Sequence, residues 1–107
     1  MIVTTTNTVE GRRISEYLGI VHGCAVMGSN LFRDFFAGIR DVVGGRVASY
    51  ETVVTDAKDA ALADLLSRAE SMGADAVIGL GFDHDSIGGD NKTILMVSAT
   101  GTAVRLG

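Results

Sequence analysis

Residues 14–28 read ISEYLGIVHGCAVMG, and the fold turns on whether this run is a strand or a helix. With a period of two, Ile14, Leu18, Ile20, His22, Cys24 and Val26 fall on one face, and Tyr17, Val21, Ala25 and Met27 on the other. Apolar side chains on both faces predict a strand covered on both sides. Gly19 and Gly23 lie inside the run, where glycine weakens a strand unless the chain bends or another backbone comes close.

Working outward, IVTTT (2–6) is a short β-branched run and predicts a first strand. After the central run, Ser29-Asn30 supplies a helix cap before LFRDFFAGIRDVVGG (31–45). Phe32, Phe35, Phe36, Ile39, Val42 and Val43 form one helical stripe there, and Gly44-Gly45 predicts its end. A second helix is predicted from about Tyr50 to Met72, burying Tyr50, Val53, Val54, Ala57, Ala61, Leu65, Ala69 and Met72, with Gly73 as its C′ residue.

DAVIGLGFDHD (75–85) predicts a strand with Ile78, Leu80 and Phe82 on one face. IGGDN (87–91) predicts a hairpin loop, and KTILMVSATGTAVRL (92–106) the last strand. The predicted order is β-β-α-α-β-β: one α+β domain over residues 1–107, an antiparallel sheet with two helices on one face.

The 107 residues carry a net charge of −4, with nine Lys and Arg scattered along the chain. Nucleic acid and anionic membrane both require a basic patch, so neither is expected as a partner. The single cysteine cannot form an internal disulfide, the first residues lack the charged and apolar regions of a signal peptide, and no run approaches a membrane span; the expected compartment is the cytoplasm.

Three segments, GSNLFRDFFAGIRDVVGGRVASYE (28–51), GADAVIGLGFDHDSIG (73–88) and MVSATGTAV (96–104), resemble the YbjQ-like family of small bacterial proteins, largely uncharacterised and labelled heavy-metal-binding. The likeness runs over nearly the whole chain. It implies a dodecin-like subunit assembled as a ring of five. It implies little about activity, because function resides in a site rather than a fold.

Two constellations carry ligand atoms. Asp83-His84-Asp85 places two carboxylates around an imidazole, but on a strand Asp83 and Asp85 share one face while His84 joins Leu80 and Phe82 on the other. The three cannot close on one ion within a chain without a bulge; otherwise they are a solvated strand end. As a calcium loop the segment fails, because Ile87 and Ile94 occupy positions that need oxygen ligands. His22 and Cys24, at i and i+2, share a face and make a good zinc or copper pair, though two ligands are too few for a tight site. The other reading is a buried free cysteine beside a hydrogen-bonded histidine. The resembling family often has a small polar residue at the position of His22 and an acidic one at that of Cys24, so no shared motif carries over.

No third residue orients His22 and Cys24 as base and nucleophile, and the glycine-rich runs lack the GK[ST] ending of a phosphate loop, so an enzyme is not the favoured class. Arg33-Asp34 and Arg40-Asp41 recur at seven-residue spacing, with Arg46 and Glu51 beyond them, and read either as a solvated face or as bridges between subunits. The resulting expectation is a homo-oligomer, joined through strand edges and these charges, that binds a divalent transition metal or small ligand at its seams. A scaffolding oligomer is the alternative, and an enzyme with an intersubunit site comes third.

Overall fold

The computed structural model describes residues 1–27, 45–89 and 92–107. Four strands, β1 (Ile2–Val3), β2 (Ile14–Met27), β3 (Ala76–Gly89) and β4 (Lys92–Leu106), form one sheet in the order β1-β3-β4-β2, and one helix, α1 (Gly45–Ser71), packs on it. β4 lies between β2 and β3 and is antiparallel to both. β1 pairs with β3 in parallel, Ile2 opposite Ala76 and Val3 opposite Val77.

This corrects the expected fold in two respects. The sheet is mixed rather than antiparallel, and a single helix is present among the described residues rather than two. The helix expected over 31–43 lies outside the described residues, as do Arg33, Asp34, Arg40 and Asp41. Gly45, expected to end that helix, is instead the first residue of α1, which begins five residues before the expected Tyr50.

The helix is held by a stripe at four-residue spacing: Val53, Ala57, Ala61, Leu65 and Ala69 are all buried. They pack against Val21, Val77, Leu95, Val97, Ala99 and Ala103 of the sheet. Small residues on the helix let its backbone approach β2, and Gly23 is the contact point. A Cβ there would overlap the Ala61 carbonyl oxygen and the Leu65 amide nitrogen, and would lie 2.9 Å from Leu65 Cα. At its C-terminus α1 closes in a Schellman motif: Gly73 (φ 79°) donates to the Glu70 carbonyl at 3.0 Å and Ala74 to that of Ala69 at 3.1 Å.

Bulges reassign faces along two strands. In β3 the register jumps between Ile78 and Gly81, where Gly79 takes a φ of 63°, favoured by glycine. Ile78 therefore packs with Ala76 and Val104 beneath the sheet, while Leu80 and Phe82 pack toward the helix, so the expected common face of these three does not form. Shifts in β2 between Ile14 and Glu16 and between Tyr17 and Gly19 turn Leu18 toward the helix-side core, away from its expected companions Ile20 and Val26. The hairpin also runs further than expected, with Ile87, Gly88 and Gly89 paired to β4 instead of forming the loop.

Among the described residues, the second face of the sheet is covered only at one end. There Val9, Ile14 and Leu106 pack on Ala76, Ile78 and Val104. Further along β2, Ile20 is 78% exposed and Val26 60%, so among the described residues the expected two-sided covering of this strand is not met.

Candidate functional site

The open face collects four of the five candidate ligands. Along β2, His22 and Cys24 are exposed, and their pairing partners on β4 are Thr100 and Ser98. Asp83 pairs with Ser98 from the other side, so Cys24, Ser98 and Asp83 form one row across three strands. Val26, Met96 and Asp85 form the next row. His84 pairs with Val97, a helix-side residue, and stands apart from its two neighbours as strand alternation requires.

Geometry keeps these side chains separate within a chain. With strands about 4.8 Å apart, the ends of a three-strand row stand roughly 9.6 Å from each other. Among the described residues, no three His, Cys, Asp or Glu side chains come together as a group able to hold a metal ion.

Two residues not expected from the sequence border this patch. Asp64 of α1 reaches around the sheet edge and accepts a hydrogen bond from the Cys24 amide at 3.1 Å. Arg68, one helical turn on, donates from Nε to the other Asp64 oxygen at 3.3 Å. The Cys24 amide, then Arg68, and the charge of nearby His22 hold the Asp64 carboxyl below its ordinary pKa. The i, i+4 spacing of acid before base is visible in the sequence and is the favourable order on a helix. What it touches on β2 is not visible there.

Beside this pair lies an open groove of about 340 Å³, lined by Ile20, Val21, His22, Arg68, Ser71 and Met72. Its lining combines apolar side chains with an imidazole, a guanidinium and a hydroxyl group. Among the described residues no helix is long and apolar enough to cross a membrane.

The fold defines a class of small proteins in which a few-stranded sheet is backed on one face by helix. A protein of unknown function from Pediococcus pentosaceus, a member of the DUF74 family, has a similar structure, with a TM-score of 0.70 and 18% identity over 100% of this chain and 98% of that one. More specifically, residues 1–107 match the model of the YbjQ family, described as "Putative heavy-metal-binding", and the chain belongs to that family.

Proposed function

We propose that this protein assembles with copies of itself into a ring, of five subunits as the family resemblance implies, and binds a zinc- or copper-like divalent metal at the seams. The observation that carries this reading is the exposed pair His22 and Cys24, two positions apart on one face of β2, an outer strand among the described residues. Free cysteine is among the most buried residue types, so a thiol standing in the open beside an imidazole is a poor packing element and a good pair of metal ligands.

The shape of the chain supports assembly. Its radius of gyration is 17.1 Å, against about 13 Å for a compact chain of this length.

Light scattering at micromolar concentration should return a multiple of the 11.1 kDa chain mass. Untagged protein should carry or take up zinc, copper or nickel in elemental analysis, and Cys24→Ser or His22→Ala should each lower the uptake. A monomeric mass, or no uptake of any of the three metals, overturns the proposal.

A further inference from the structure

We propose that Asp64 guards the free margin of β2: its carboxylate occupies the outward amide of Cys24 and keeps a second copy of the chain from adding a strand to the sheet there. This role is independent of the assembly reading above, because it concerns a margin the chain keeps closed.

This margin lacks protection of its own. Among the described residues β2 is an outer strand, paired with β4 alone. Residues 17–27 contain no Lys, Arg, Asp, Glu or Pro. The strand therefore carries none of the charges or prolines that keep an edge from pairing with another chain. It is also mainly apolar, and Ile20 and Val26 lie exposed on it. An uncharged, proline-free run of this kind is prone to add strands, so the protecting charge has to come from another element.

The helix delivers it. Gly23 lacks a Cβ, so α1 lies against β2 with the Ala61 carbonyl oxygen and the Leu65 amide nitrogen where that atom would stand. Asp64, in the same turn, reaches the margin, and one of its oxygens accepts the Cys24 N–H at 3.1 Å. The other oxygen accepts from Arg68 Nε at 3.3 Å, which holds the carboxylate in that orientation. The Cys24 amide first, and then Arg68, keep the carboxyl below its ordinary pKa, so it is charged in neutral solution.

An occupied amide at this place blocks more than one bond. The register between β2 and β4 runs without a shift from Gly19 to Met27, so the backbone groups of His22, Cys24 and Val26 all face outward, away from β4. A strand adding to this margin would use the three in succession, and Cys24 is the middle one. There an incoming carbonyl oxygen would meet a carboxylate oxygen, acceptor against acceptor. A ladder long enough to span the strand must therefore expel Asp64 from both of its bonds. Any seam between copies then runs elsewhere than through this ladder.

Removing the carboxylate from the full-length chain tests both the bond and its effect. In amide hydrogen exchange followed by NMR, the Cys24 amide of Asp64→Ala should exchange roughly tenfold or more faster than in wild type. In sedimentation velocity at equal concentration, Asp64→Ala should form species larger than the wild type, with the infrared signature of intermolecular β-sheet. Asp64→Ser, too short to reach the amide, should do likewise if Asp64→Ala misfolds. Val77→Ala is the control for lost stability: it removes a fully buried side chain on β3, across β4 from the margin, and should not enlarge the particle. Unchanged exchange at Cys24, or association of the Asp64 variants no greater than that of Val77→Ala, overturns the proposal. The wild-type mass serves only as the reference, so a monomeric wild type sinks the assembly reading and leaves this test intact.

Discussion

Replacing Gly23 with alanine tests the packing that places the candidate ligands. The added Cβ would run into the Ala61 carbonyl oxygen and the Leu65 amide nitrogen and come within 2.9 Å of Leu65 Cα. All three are helix backbone atoms, tied into the hydrogen-bond ladder of α1, so no side chain can rotate away. The helix itself must back off β2, weakening contacts along the stripe from Val53 to Ala69. Overpacking of this kind costs about 3 kcal/mol. Loss of unfolded-chain entropy on Gly→Ala returns at most about 1 kcal/mol. The net is about 2 kcal/mol of destabilisation, or a fall in Tm of roughly 8–16 °C for a chain of this size. Thermal melts followed by circular dichroism, at equal protomer concentration, measure it. Gly81→Ala is the control: nothing lies within 4 Å of its Cβ position and its φ is not in the left-handed region, so only the entropy effect remains. Gly23→Ala melting at or above the wild-type temperature would refute the close helix–strand approach.

Gly79→Ala, with open space but a φ of 63°, should destabilise by about 1 kcal/mol in urea titration, isolating backbone conformation from packing. Leu65→Ala, which removes a fully buried side chain beneath the helix, should cost about 2–5 kcal/mol in the same assay. Asp64 has a folded-state pKa below its unfolded value, so its stabilising effect is present above the ordinary aspartate range and is lost as pH falls through the lowered value. The difference in Tm between wild type and Asp64→Ala should therefore be full at pH 7 and shrink below about pH 4; a difference that persists at pH 2 would contradict it.

The parts of the fold legible in the sequence are those with a local period. The buried line from Val53 to Ala69 repeats every four residues, and alternation locates β2, β3 and β4. A bulge breaks that reading because one extra residue swaps every side chain beyond it, and no residue type announces the swap: Ile78 and Leu80 look like face-mates until Gly79 turns the chain. Gly45 shows a second ambiguity, since glycine is tolerated at either end of a helix and two in succession read as a stop. β1 holds to β3 by a two-residue parallel pairing across more than seventy positions, which periodicity cannot report. For the site, strand alternation alone separates His84 from Asp83 and Asp85. Whether His22 and Cys24 were core or surface depended on what covers the second face, and that is settled by the tertiary fold.

Covering that face has a chemical consequence. If the seam closes over β2, it buries Ile20 and Val26, which favours assembly, and it removes His22 and Cys24 from water at the same time. A buried imidazole without a partner costs about 1–3 kcal/mol, so assembly requires something to bond it. A metal ion or a neighbour's carboxylate meets that requirement. Metal binding and assembly are then linked, each strengthening the other by the same factor. Stripping wild-type protein with a chelator should raise the concentration at which it dissociates, measured by sedimentation on dilution, and restoring zinc should lower it again. The double variant His22→Ala/Cys24→Ala has no polar groups left to satisfy at these positions, so it should assemble without metal and show no response to chelator. Equal dissociation midpoints for metal-loaded and stripped wild type would break the link, because a ligand that leaves the assembly equilibrium unmoved is not bound at its seams.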